Sequence, residues 1–234
     1  MSGRVEGVVV GDGRFGLHVR VPEGARGPGI LLVHEIYGVG EYVLDVADAL
    51  ARDGYVVGVP ELFWRVAPGW VGEHTEEGTA EGMRVAGRFD PAAGLDDLVA
   101  SLNVLRGLPE VSGGVGTIGF CFGGTLAFLL AAREPLDAAI SFYGSGVRAN
   151  IGRIASVRGP LQFHFGGDDP YIPRDQVREV ENAVAGHPGA EIHVQEDGGH
   201  AFHNHRSEMF HQPEPAARAW ALTEAFLNKH LPVG

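Results

Sequence analysis

The stretch Gly114-Val-Gly-Thr-Ile-Gly-Phe-Cys121-Phe-Gly-Gly124 sets the frame in which the remaining sequence is read. Val115 to Phe120 is a short apolar run of strand composition, and Thr125 to Arg133 (Thr-Leu-Ala-Phe-Leu-Leu-Ala-Ala-Arg) is a helix-forming one. Between them Gly119 and Gly123 flank Cys121, which is the nucleophile-elbow pattern with cysteine in the serine position. A Cβ on either side of the nucleophile would crowd a backbone held at strained dihedrals, hence the glycines. The helix behind Cys121 points its N-terminus at the sulfur and favours thiolate over thiol. A lone cysteine is more often an inert buried hydrophobe, and here the strand, turn and helix around it reverse that reading. Gly114-Val-Gly116-Thr-Ile-Gly119 matches the dinucleotide fingerprint, but that motif must follow a strand and open a helix. Here it enters the strand, and it is discarded.

The chain on either side is of α/β type. Val5 to Val10 and Phe15 to Val21 are predicted strands joined by the hairpin signal Gly11-Asp-Gly13. Gly29 to His34 reads as a strand buried on both faces. Glu41 to Asp53 has helical periodicity closed by Gly54, and Tyr55 to Val59 is the next strand. Arg65 to Arg88 reads as a loop with a short helix over the sheet. Pro91 to Arg106 is an amphipathic helix. Beyond the elbow, strands are predicted at Asp137 to Tyr143, Pro160 to Phe165 and Glu191 to Gln195, with helices at Arg174 to Ala185 and Glu214 to His230. Alternation of strand and helix implies a mostly parallel sheet covered by helices on both faces, in one domain spanning residues 1–234.

Composition narrows the function. A 234-residue chain with 44% apolar and 21% charged residues has the make-up of a globular enzyme. A formal net charge of -12 argues against nucleic acid or an anionic membrane surface as partner. One cysteine permits no intramolecular disulfide, the N-terminal Met1-Ser-Gly-Arg-Val-Glu has no signal-peptide core, and no run reaches membrane-span length. A cytoplasmic protein is expected, a monomer or small homo-oligomer acting on a small molecule without a cofactor.

The chemistry follows from chain order. After the elbow, an acid and then a histidine are expected on loops at the carboxyl edge of the sheet. Gly166-Gly-Asp168-Asp169-Pro170-Tyr-Ile-Pro173 supplies the acid, with the spacing favouring Asp169, and Asp197-Gly-Gly-His200-Ala-Phe202 supplies the histidine. His200 can take the thiol proton and return it to a leaving group, and the carboxylate fixes its tautomer. His200, His203 and His205, with His211 nearby, have the short spacing of a zinc site. The triad already uses His200, so no metal is expected.

Leu32-Val-His-Glu35-Ile-Tyr-Gly38, Gly119-Phe-Cys121-Phe-Gly123, Gly167-Asp-Asp169-Pro-Tyr-Ile-Pro173 and Gly199-His200-Ala-Phe202 together resemble the dienelactone hydrolase family, as does Phe89 to Leu98 before the elbow. The likeness covers nearly the whole chain from about Leu31. It implies an α/β-hydrolase fold and hydrolysis of small lactones or esters by Cys121, Asp169 and His200. It also implies a role for Glu35, which in this family pairs with the resting thiol and helps activate it. The oxyanion hole is expected from the backbone N–H groups of Ile36 and Phe122. Relatives that open dienelactone hold its carboxylate with arginines from the middle insertion and from just after the histidine. Here Arg84, Arg88 and Arg206 are the candidates, none in clear register, and Trp64, Trp70 and Phe202 are candidate apolar pocket walls. A cysteine-based carboxylesterase or thioesterase for another acyl group is the alternative enzyme, and a non-catalytic binding protein on the same fold is the non-enzymatic one.

Overall fold

The computed structural model describes residues 2–234. Strands β1 (Ser2–Val10) and β2 (Gly13–Val21) pair antiparallel across a tight hairpin at Gly11-Asp12. The other strands are β3 (Gly27–Val33), β4 (Val56–Pro60), β5 (Val111–Phe120), β6 (Ala138–Phe142), β7 (Leu161–Gly166) and β8 (Ala190–Gln195). They form one eight-stranded sheet in the order β1-β2-β4-β3-β5-β6-β7-β8. It is parallel from β4 through β8 and antiparallel where β2 meets β4. Every residue of β3, β4, β6 and β7 is buried, so both faces of the central sheet are covered.

Helices α1 (Glu41–Arg52), α2 (Glu76–Ala86), α3 (Pro91–Arg106), α4 (Phe122–Arg133), α5 (Arg174–Val184) and α6 (Pro213–His230) fill the connections. In α1 the residues Tyr42, Val43, Val46, Ala47 and Leu50 form the buried stripe that the sequence periodicity implied. α3 starts where Asp90 caps it, accepting from the Ala92 amide at 2.9 Å, with Pro91 in its first turn. The 65–88 stretch contains α2, capped by the Thr75 side chain. Among the described residues no helix is long and apolar enough to cross a membrane.

β1 and β3 start three and two residues earlier than expected, and two departures are larger. β5 begins four residues earlier than the apolar run suggested, because Ser112 to Gly114 are not buried and carry no alternation signal. A 3-10 segment at Arg148–Ser156 had no predicted counterpart; it buries no residue, so it leaves no apolar period to read.

The sheet topology fixes where a site can form. From β3 the chain crosses to β4 on one side, and from β5 it advances through β6, β7 and β8 on the other. Strand order therefore reverses between β3 and β5, and the crevice beyond their carboxyl ends is where such sheets bind ligands. Val33 is paired with Gly119, so Glu35 and Cys121, each two residues further on, emerge at the same level.

Candidate active site

Cys121 stands at the turn between β5 and α4 with φ 51° and ψ -114°. A non-glycine residue in this region is strained by ~1–3 kcal/mol and persists only where its surroundings hold it. The hold is visible. A Cβ on Gly119 would lie 2.0 Å from the Gly123 carbonyl oxygen, and one on Gly123 would lie 2.3 Å from that of Val33. The elbow can close only on glycines at these two positions. The Cys121 amide donates to Phe142 O at 3.0 Å, tying the elbow to β6. Tyr143 and Ala201 also have positive φ, so among the described residues three of the four such non-glycine residues border this site.

His200 Nε2 lies 3.1 Å from Cys121 Sγ, and His200 Nδ1–H donates to Asp169 Oδ2 at 2.7 Å. Asp169 is buried, and its second oxygen accepts from the amides of Tyr171 (2.8 Å) and Ile172 (3.1 Å), which orients the carboxylate. The neighbouring Asp168 is exposed, so the structure separates the two acids as the spacing had favoured. Burial pulls the His200 pKa down, but the adjacent cysteine sulfur and Asp169 outweigh it and raise the imidazole above its ordinary range.

Glu35 is 3% exposed. Its Oε2 accepts from Asn204 Nδ2 at 2.6 Å, and its Oε1 has no partner among the described residues. Burial pushes its pKa up to about 7, and His200, Asn204 and Tyr143 pull it back only in part. The thiol therefore faces His200, while Glu35 faces Asn204; the expected pairing of Glu35 with the resting thiol is not the arrangement present. Asn204 went unrecognised in the sequence. Its only signal there was a short amide inside the loop that follows the histidine.

The peptide joining Glu35 to Ile36 is held on its carbonyl side. His34 Nδ1–H donates to Glu35 O at 2.6 Å, and the Gly38 amide reaches the same oxygen at 3.3 Å. In a trans peptide the N–H points opposite to the C=O, so these two donors turn the Ile36 N–H away from them. Trp70 Nε1 donates to Ile36 O at 3.0 Å and holds the next peptide as well. His34 Nε2 accepts from the Leu62 amide at 3.3 Å, which assigns the proton to Nδ1. Burial drives the His34 pKa down to about 4, so the ring is neutral at physiological pH. Phe122, at the first position of α4, has an amide with no intrahelical acceptor.

A cavity of about 110 Å³ opens over the sulfur, with Ile36, Tyr37, Met83, Tyr171, Ala201 and Phe210 among the residues in its wall. The side chains proposed from sequence to bind substrate lie elsewhere. Arg84 is exposed and paired with Glu81 on its own helix, and it is Met83, one residue before it, that reaches the cavity. Arg206 is exposed and pairs with Asp45 at 2.6 Å and Glu41 at 3.0 Å, over the start of α1. Trp64 stacks on Phe15 and donates to Asp97 Oδ2, in the wall of a different cavity. Phe202 is fully buried against Phe142 and Tyr143. The histidines after His200 diverge: His203 accepts from or donates to the buried Tyr42 hydroxyl at 2.8 Å, and His205 bonds Asp45 on the surface.

The model of the dienelactone hydrolase family matches residues 15–231. The chain belongs to the dienelactone hydrolase family. A carboxymethylenebutenolidase from Pseudomonas sp. (strain P51) is 33% identical over 227 residues, covering 96% of this chain and 94% of that relative. Among solved structures, a Klebsiella pneumoniae protein assigned as a dienelactone hydrolase matches with a TM-score of 0.85 at 24% identity, covering 97% of this chain and 98% of its own. The dienelactone hydrolase from Anabaena variabilis matches with a TM-score of 0.71 at 18% identity, with 98% of each chain covered. These structures share the α/β-hydrolase fold. Family membership over nearly the whole chain makes the protein a hydrolase of the dienelactone hydrolase type.

Proposed function

We propose that the protein hydrolyses small carboxylic esters or lactones through a thioester on Cys121. The observation that carries this reading is the aligned chain from sulfur to imidazole to carboxylate, at 3.1 Å and 2.7 Å. His200 Nε2 takes the thiol proton, and the sulfur attacks the substrate carbonyl carbon. The resulting oxyanion lies between the Ile36 and Phe122 N–H groups, each donor of this kind contributing roughly 10²–10³ in rate. Collapse of the tetrahedral adduct breaks the C–O bond, and His200 returns its proton to the departing alkoxide. In a lactone that alkoxide remains tethered to the acyl group. Water, deprotonated by His200, then attacks the thioester and releases the acid and the free thiol. Asp169 holds the imidazole tautomer and supports its positive charge throughout.

Glu35, with its pKa near neutrality, lies in the cleft wall beside this chemistry. It biases the thiol against ionising before substrate arrives and so limits oxidation of the sulfur.

Acid-quenched turnover followed by mass spectrometry tests the scheme. An acyl adduct on Cys121, and loss of both adduct and turnover in Cys121→Ala, are expected. Substantial hydrolysis by folded Cys121→Ala protein would remove the mechanism.

A further inference from the structure

We propose that the substrate is uncharged on its acyl side: a neutral ester or lactone with a short apolar acyl group, in place of a lactone that carries a carboxylate. The inference rests on the hydrolase reading above and adds to it the chemical class of the substrate.

Among the described residues, no lysine or arginine lines the cavity over the sulfur. Its wall is mainly apolar or aromatic, through Ile36, Met83, Tyr171 and Phe210, and the Tyr37 hydroxyl is already bonded to Thr79 Oγ1 at 2.8 Å. Arg84 and Arg206, two of the arginines that the sequence offered for a carboxylate clamp, are taken up by acidic partners outside the cleft, as are Arg148 and Arg174. Asn204 is fully buried and is not part of the cavity wall. Its amide is bound to Glu35, and its carbonyl oxygen accepts from the Arg206 amide at 3.1 Å.

What the cleft does contain is a carboxylate. Glu35 lines the same cavity with one oxygen unpartnered and buried. A second carboxylate entering here would lose its hydration, find no cation other than the triad's own histidine, and face Glu35. The net charge of -12 opposes its approach as well. At the mouth, Met83 and Tyr171 are 59% and 57% exposed, an apolar rim of the kind that receives hydrocarbon. The cavity volume, about 110 Å³, lies below the range of drug-sized pockets and limits the acyl group to a few carbons.

The test compares two esters of matched size and leaving group, p-nitrophenyl butyrate and p-nitrophenyl hemisuccinate, with and without iodoacetamide at about pH 8, where Glu35 is ionised. The butyrate is expected to have the higher kcat/KM by roughly 10²-fold, the size of a like-charge mismatch costing a few kcal/mol. Met83→Arg, which places a cation at the rim, is expected to narrow that ratio at least roughly tenfold. Iodoacetamide-sensitive hydrolysis in which the hemisuccinate is as fast as the butyrate overturns this proposal and leaves the cysteine mechanism standing. Absence of iodoacetamide-sensitive hydrolysis of both esters overturns the mechanism and this proposal with it.

Discussion

Asn204 Nδ2 donates to Glu35 Oε2 across 2.6 Å and joins the loop after His200 to the turn after β3, 169 positions away in the chain. The bond satisfies one oxygen of a buried carboxyl group. Removing the donor leaves that oxygen buried without a partner. Asn204→Ala is therefore expected to destabilise the fold by about 2 kcal/mol. In a Glu35→Gln background the loss should be smaller, giving a coupling of about 1 kcal/mol in a double-mutant cycle by urea unfolding. Strict additivity of the two substitutions would mean that the pair is not energetically linked.

Asp169 and Asp168 are adjacent, yet only Asp169 reaches His200. Asp169→Asn should lower kcat by roughly 10³–10⁴ with little change in folding, because the amide favours the wrong imidazole tautomer. Asp168→Asn, at an exposed position, should stay within about twofold of the parent. Equal losses in the two variants would reassign the acid.

The neutral His34 ring orients the peptide that supplies the Ile36 N–H. His34→Leu is expected to reduce kcat by roughly 10²-fold with KM nearly unchanged, since in the proposed mechanism the N–H serves the oxyanion and not the ground-state carbonyl. It also strands the Leu62 amide, costing about 1–2 kcal/mol of stability. A variant that is less stable but keeps its kcat would confine His34 to a structural role.

Arg84→Ala and Arg206→Ala are expected to leave kcat/KM for a neutral ester within about twofold, because both guanidinium groups are exposed and paired outside the cleft. A large rise in KM in either variant would show that the arginine reaches substrate during turnover.

Stability should fall as the solution becomes acidic. Burial depresses His34 to about 4, His203 to about 3 and His164 well below the ordinary value of 6.5. Below pH ~6.5 the unfolded chain binds protons that the folded state refuses, so folding free energy is lost as pH drops toward these values. Glu35 acts in the opposite sense, as does His200 above about pH 6, where its raised pKa keeps a proton that the unfolded chain releases. The folded pKa of Glu35, about 7, exceeds the ordinary 4.5, so between those values the folded state keeps a proton that the unfolded chain has released. Near pH 5.5 the three histidines outweigh the one carboxyl by roughly two protons, a loss of about 2.5 kcal/mol per pH unit. Urea unfolding between pH 5 and pH 6 reads this slope directly, and a flat profile there would contradict the buried, neutral state of the histidines.

The strand or turn that carries each of Cys121, Asp169 and His200 was legible in the sequence because it depends on local signals. Apolar runs bounded by turn residues mark β3 and β5, and glycines at 119 and 123 mark a backbone too tight for any other residue. The choice of Asp169 over Asp168 was legible for the same reason, as a matter of spacing within one turn.

The surroundings of the sulfur were decided only by the tertiary structure. Asn204, Met83 and His34 acquire their places from contacts between segments far apart in the chain, and Arg206 and Trp64 are drawn to Asp45 and Asp97 by packing that no local period encodes. Where a loop side chain points is set by what surrounds it after folding. The reaction class could therefore be inferred from the order of residues, while the charge of the cleft became visible only once the chain was closed.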